Sequence, residues 1–192
     1  MTAEQPRLTD VWALIGQRAG DEVVALFEQL RDAGATDAEL ERALSMLITA
    51  QNVHAGALGE ALARELLESW QPGTPIPPVP LADVATHVDR PRLGRAVGTV
   101  LERIDPADLA VTVAVAGRAL HNIARSEALE TGQSSYRLTV IGSDLADGWE
   151  RQLEPDACEL CYWWHEEGIQ PPDTPMPTHK GCSCAQSFHP KR

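Results

Sequence analysis

All four cysteines of the chain lie in one C-terminal segment, together with a histidine at ligand spacing. Their order is Cys158-x-x-Cys161, followed by His179-x-x-Cys182-x-Cys184. A C-x-x-C turn brings two sulfur atoms to one side of a tight loop, as in the first half of a tetrahedral zinc site. The second half offers three candidate ligands where two are needed. The spacing therefore predicts a closed, structural metal site held by four of these five residues.

The ligand set and the kind of cross-link are left open by the sequence. The metal is held either by all four cysteines or by a set in which His179 replaces Cys182 or Cys184. Disulfides that join Cys158 or Cys161 to Cys182 or Cys184 are a second alternative, and free thiols buried as small apolar groups are a third. The intervening stretch "GIQPPDTPMP" (168–177) cannot build a core. A structural zinc ion, which contributes about 10–16 kcal/mol, is the cross-link that we expect to hold this segment.

Two tryptophans, Trp163 and Trp164, follow the first cysteine pair, and we expect them to cover the metal site. A catalytic zinc would need an open coordination position and a general base, for which Glu166 or Glu167 would be the candidates. The surplus of ligands favours a structural site instead. We therefore predict that the protein is not an enzyme.

The N-terminal part of the sequence predicts long helices. A helix should begin near Thr9 or Asp10, with a break at Gly20 as one alternative. Gly34 suits the end of this helix, because a helix commonly ends on a glycine in the left-handed conformation. A second helix should run from about 38 to 70, capped by Thr36 or Asp37.

A proline-rich stretch, "QPGTPIPPVPL", then excludes helix and predicts an extended linker. Further helices are expected at about 81–88, 90–104 and 106–130. The alternating, β-branched "YRLTVIG" (136–142) and the following "GWERQLEP" (148–155) predict two short strands. The predicted fold class is mainly α, with an elongated helical N-terminal region and a small α+β cysteine-rich subdomain. The divisions are 1–70 (long helices), 71–80 (linker), 81–132 (helices) and 133–192 (strands and cysteine/histidine segment).

The charge of the chain limits the functions that it can serve. The formal net charge is −12, whereas contacts to nucleic-acid phosphates need clustered lysine and arginine. Strong nucleic-acid binding is therefore not expected. No apolar run approaches the roughly 18 residues of a membrane span, and the N-terminus has no signal-peptide pattern. We expect a protein that is made in a reducing cytoplasm and has no membrane partner.

The C-terminal third, about residues 120–190, resembles the phage Mu F-like minor head proteins of the head-morphogenesis family. The resemblance is carried by the order "IARSEALETG", "YRLTVIG", "GWERQLEPDACELC" and "THKGCSC". Arg125 and Glu127 match an Arg–Glu pair of that family, and Trp149 matches a tryptophan that precedes the first cysteines. The cysteines and His179 match its cysteine–histidine set. Ser126, Lys180 and Ser183 depart from the residues usual at those positions.

The resemblance implies a virion protein that lies inside the head near the portal vertex. Such a protein would dock on the portal or the major capsid protein and act in head assembly, DNA packaging or delivery. Self-association into a homo-oligomer is left open. Arg125 and Glu127 would form an ion pair that ties the last long helix to the metal site. The alternative function is a zinc-binding, nucleic-acid-associated module or regulator, for which Lys180, Lys191 and Arg192 offer only a weak basic patch.

Overall fold

The computed structural model describes residues 7–73, 75–76 and 90–191 of the chain. These residues are mainly helical, with a two-stranded sheet near the C-terminus, so the predicted fold class is confirmed. The elements in chain order are α1 (Leu8–Asp32), α2 (Asp37–Trp70), α3 (Arg90–Leu101), a 3-10 turn (Pro106–Asp108), α4 (Leu109–Gly142), β1 (Ala146–Gln152), α5 (Glu159–Glu166) and β2 (Ala185–Pro190). Half of the predicted linker at 71–80 and the predicted helix at 81–88 lie outside the described residues.

The first two helices begin and end close to the predicted positions. The Thr36 hydroxyl accepts the backbone N–H of Glu39, and the Glu39 carboxylate accepts the backbone N–H of Thr36 at 2.8 Å. This capping box starts α2 by satisfying two otherwise unpaired donors. The break considered at Gly20 is wrong, because α1 is continuous there. Gly20 instead lies against His121 of α4, where an added Cβ would come within 2.4 Å of the imidazole.

The long helix α4 lies against both α1 and α2. Its backbone meets that of α2 at Gly59 and Gly132, where a Cβ on Gly59 would lie 2.1 Å from the Gly132 carbonyl oxygen. The side chain of Trp12 from α1 covers the same crossing, 2.7 Å from the Cβ that Gly132 lacks. Small residues at this point allow the helices to approach closely enough to bury their apolar faces.

The predicted strand at 136–142 is wrong, because these residues form the last two turns of α4. Buried positions recur in pairs four residues apart, at Ser135, Tyr136, Thr139 and Val140, which is a helical and not an alternating pattern. Strand propensity is weak compared with the packing of side chains against their neighbours. The helix therefore passes through the predicted division at 132–133 and connects the helical region to the C-terminal subdomain.

The C-terminal subdomain is built on the sheet that β1 forms with β2. The strand predicted at 148–155 corresponds to β1, and it pairs antiparallel with β2 so that Trp149 lies opposite Phe188. Phe188 contacts Tyr136 of α4 with ring centroids 5.9 Å apart, and Tyr136 meets Trp12 of α1 edge-on at 6.1 Å. This aromatic row joins the sheet to the helices in one apolar core.

A second apolar core lies at the opposite end of the helices, where α3 covers α2 and α4. Its buried side chains include Phe27, Leu44, Leu93 and Leu120. Of the helices described, none combines the length and apolar character that a transmembrane segment requires.

Candidate metal centre

The residues predicted as metal ligands come together beside α4. Cys158 is the N-cap residue of α5, and Cys161 lies in the first turn of that helix. The ligand atoms form two overlapping groups, each within 4.8 Å, which are Cys158, Cys161 and His179, and Cys161, Cys182 and Cys184. Cys161 belongs to both groups. Sulfur and imidazole donors at this spacing could hold a metal ion.

The distances within the cluster distinguish the kinds of cross-link. His179 Nε2 lies 3.2 Å from the Sγ atom of Cys158 and 3.2 Å from that of Cys161. The Sγ atoms of Cys161 and Cys182 are 3.6 Å apart, far beyond the about 2.05 Å of a disulfide. All four cysteines are free thiols, so the disulfide alternative is not the arrangement in this structure. Cys158 and Cys161 both belong to each of the ligand sets that the sequence leaves open.

Local backbone geometry explains how two separate segments bring their candidate ligands close together. The first pair is three residues apart at the start of a helix, and residues so spaced lie on one helix face. The second segment turns at Gly181, whose φ of 77° favours glycine. This turn lets the Cys182 N–H donate to the His179 carbonyl oxygen at 3.1 Å.

Burial and mutual hydrogen bonding shift the acidity of the inner thiols. Burial raises the pKa of Cys161 to about 12. A hydrogen bond from Cys182 to Cys184 raises the pKa of Cys182 and lowers the pKa of Cys184 to about 6. The backbone N–H of Glu154 also donates to Cys184 Sγ at 3.5 Å. Metal ligation requires deprotonated thiols, so binding of a cation would release protons from this cluster.

Two side chains of α4 fasten the second ligand segment to the helical region. Arg125 donates to the carbonyl oxygen of Gly181 from Nη2 at 3.1 Å and from Nε at 3.3 Å. Gln133 donates from Nε2 to the carbonyl oxygen of Cys184 at 2.9 Å. The ends of the Cys182–Cys184 stretch are thus both tied to one helix.

The predicted ion pair between Arg125 and Glu127 is wrong. Glu127 accepts hydrogen bonds from Arg92 of α3, at 2.7 Å from Nη1 and at 2.5 Å from Nη2. Residues two apart on a helix point to different faces, so Arg125 and Glu127 serve different neighbours. Arg125 contacts the cysteine segment as the resemblance implied, whereas Glu127 joins α4 to α3.

Trp149 lies in β1, and its side chain is buried. Its Nε1 donates to the Thr174 carbonyl oxygen at 2.9 Å, and its backbone exchanges hydrogen bonds with Gln170 at 2.9 and 2.8 Å. These bonds hold the stretch at 168–177 beside β1. Trp149 therefore supports the loop between the two ligand pairs and does not contact the cluster itself.

The two tryptophans after Cys161 have different environments. Trp164 is half-buried and packs against the cluster of Cys161, Cys182 and Cys184. Trp163 is 58% exposed, so the prediction that it covers the site is wrong.

Arg151 of β1 is not among the residues that the sequence predicts for the site. Its side chain is only 2% exposed and lies beside Cys161. Its Nη1 is 3.7 Å from Cys161 Sγ, and its Nη2 donates to the Pro177 carbonyl oxygen. The guanidinium also stacks on Trp164, 4.9 Å from the ring centroid. In the sequence, Arg151 is a charged residue in the middle of the predicted strand at 148–155. A charged residue at such a position is easily taken to face solvent.

Comparison of the chain with protein-family models, curated proteins and solved structures finds no match.

Proposed function

We propose that the protein is a bacteriophage minor head protein whose cysteine/histidine cluster holds a structural zinc ion. The observation that supports this most directly is that Cys158, Cys161, His179, Cys182 and Cys184 lie together beside α4, in two groups of ligand atoms that share Cys161. These are the residues that match the cysteine–histidine set of the head-morphogenesis family.

The donor set fits zinc. Thiolate and imidazole are the ligands that zinc prefers in structural sites, where four of them close the coordination sphere. Cys161, Cys182 and Cys184 are buried, which suits a site without an open position for substrate. Once bound to four of the five residues, the ion would cross-link α5, the loop and the start of β2. This role is structural, so we propose no catalysis.

The helical region offers the surfaces that a docking role needs. Large apolar side chains are exposed on three helices, namely Leu14 on α1, Met46 and Val53 on α2, and Val111 and Val115 on α4. Exposed apolar residues are common on protein surfaces, so they support docking without identifying the partner. From the resemblance, we propose the portal or the major capsid protein as that partner, with the protein inside the virion.

Mass spectrometry of purified particles and of isolated portal rings from a phage that encodes this chain tests the proposal. We expect the protein in both preparations, at few copies relative to the major capsid protein. Its presence in infected-cell lysate but absence from particles would contradict the assignment. A DNA gel shift on the purified protein tests the nucleic-acid alternative, and we expect no shift at moderate salt because of the net charge of −12.

A further inference from the structure

Arg151 is a buried cation without a carboxylate partner among the described residues. The ion pairs found among the described residues are formed by other basic side chains, such as Arg92 with Glu127. Arg151 is nevertheless 2% exposed, so water does not solvate its charge. A buried charge is stable only when an opposite charge or a set of hydrogen bonds compensates for the lost water. Groups that compensate for the charge of Arg151 must therefore lie beside its guanidinium.

The neighbours of the guanidinium are a thiol, a carbonyl and an aromatic ring. Nη1 points at Cys161 Sγ at 3.7 Å, and Nη2 donates to Pro177 O. The Trp164 ring covers one face of the guanidinium, 4.9 Å from its centroid. Nε has no hydrogen-bond partner. Of these neighbours, only the sulfur of Cys161 can carry a full negative charge.

We propose that Arg151 is a positioning residue for the metal centre, where its guanidinium supplies the counter-charge of an anionic metal–thiolate group at Cys161. The inference rests on the proposed zinc site and extends it to a residue outside the ligand set. Four thiolates exceed the charge of a divalent cation by two, and three thiolates with a neutral imidazole exceed it by one. The role of Arg151 is therefore the same for either ligand set.

Arginine suits this position better than lysine would. Its planar fork directs one N–H group at the sulfur and another at the Pro177 carbonyl at the same time, whereas an ammonium group is a compact point charge. In the metal-bound centre, the first contact stabilises the thiolate of Cys161. The second holds the loop two residues before His179. One side chain thus links the charge of the centre to the placement of a ligand from the other segment.

Cobalt(II) binding to the full-length protein tests the proposal. Co²⁺ affinity is measured by competition with a coloured chelator, and the sulfur-to-cobalt charge-transfer band is recorded by absorption spectroscopy. We expect Arg151→Met to weaken Co²⁺ binding by about 10- to 100-fold, the range for groups that support metal ligands. The charge-transfer band should move to lower energy, because a thiolate without its N–H donor holds its electrons less tightly.

Two further variants of Arg151 and one control variant separate charge from folding. Arg151→Lys should recover part of the affinity and of the band position, whereas Arg151→Gln should resemble Arg151→Met. Arg118→Met makes the same change on the exposed face of α4 and should leave both readouts unchanged. Helical circular dichroism identifies any variant that fails to fold, and the order of Lys and Gln then decides the question.

The outcomes distinguish this inference from the metal site on which it rests. A wild-type protein that binds no Co²⁺ contradicts the proposed metal centre. Wild-type binding with unchanged affinity and spectrum in Arg151→Met overturns only the role of Arg151. The same holds if Arg151→Lys and Arg151→Gln lose affinity equally.

Discussion

The guanidinium of Arg125 on α4 donates two hydrogen bonds to the carbonyl oxygen of Gly181, from Nη2 at 3.1 Å and from Nε at 3.3 Å. Gly181 lies in the turn between His179 and Cys182, so the contact connects the long helix to the ligand segment. The two residues are 56 positions apart in sequence.

Replacing Arg125 tests how much this connection contributes. We expect Arg125→Met to lower the free energy of unfolding by about 1 kcal/mol, because a hydrogen-bonded carbonyl loses its charged donor. Urea unfolding followed by tryptophan fluorescence measures the change. Arg118→Met, one exposed position on the same helix, is the matched control and should change stability by less than about 0.5 kcal/mol. Equal effects of the two variants would argue against the contact.

The pairing of Glu127 with Arg92 makes a separate prediction. A double-mutant cycle with Glu127→Gln and Arg92→Met should give a coupling energy of about 1 kcal/mol, because the pair is bidentate and Glu127 is largely buried. A cycle between Glu127 and Arg125 should give a coupling energy near zero. Chemical denaturation of the single and double variants provides all the values. Coupling of Glu127 to Arg125 instead would restore the pair that the sequence resemblance implied.

The helical part of the fold could be predicted because its signals are local. The Thr36 capping box and the apolar spacing along α2 fix that helix within the chain itself. The end of α4 could not be read in the same way. Residues 136–142 have strand-forming side chains, and they are helical because Tyr136 and Val140 bury against α1, α2 and the sheet. That packing depends on segments distant in sequence.

Part of the candidate site could likewise be predicted from local signals, and part of it could not. The spacing of cysteine and histidine predicted five candidate ligands, because structural zinc sites are typically built from these residues at short intervals. The residues that support them come from elsewhere, and neither Arg151 nor Gln133 has a local pattern that sets it apart. Only the pairing of β1 with β2, which places Arg151 opposite Gln186, brings this arginine behind Cys161. The strand β2 itself, "AQSFHP", carries too weak an alternation to be recognised.

The shared position of Cys161 predicts an unequal response to removal of single ligands. Cys161→Ser should abolish zinc binding, because this residue belongs to both groups of ligand atoms. Among the four other candidates, one substitution should leave zinc binding unchanged, since only four ligands are needed. Atomic-emission spectrometry of the purified variants measures zinc per chain. The substitution that has no effect identifies whether His179 or a cysteine is the residue outside the ligand set.

Removal of the proposed zinc ion should loosen the C-terminal segment more than the helices. Treatment with a strong chelator should make the buried thiols of Cys161, Cys182 and Cys184 react rapidly with an alkylating reagent, because the ligands lose their cross-link. Helical circular dichroism should change little, since the core around Phe27 and Leu44 lies at the far end of α1 and α2. Thiol counting by mass spectrometry before and after chelation measures the difference. Equal reaction rates in both states would show that no metal protects the thiols.

The close crossing of α2 and α4 predicts opposite effects for two glycine substitutions. In Gly59→Ala, the added Cβ would lie 2.1 Å from the carbonyl oxygen of Gly132, so the helices must move apart. We expect a loss of about 1–3 kcal/mol, the usual cost of inserting a methyl group into a packed interface. Gly117→Ala on α4 is the matched control, because no atom lies within 4 Å of the new Cβ. It should raise stability by about 0.5–1 kcal/mol through helix propensity alone. Thermal unfolding of both variants checks the prediction, and a stabilised Gly59→Ala protein would mean that the helices do not cross at this point.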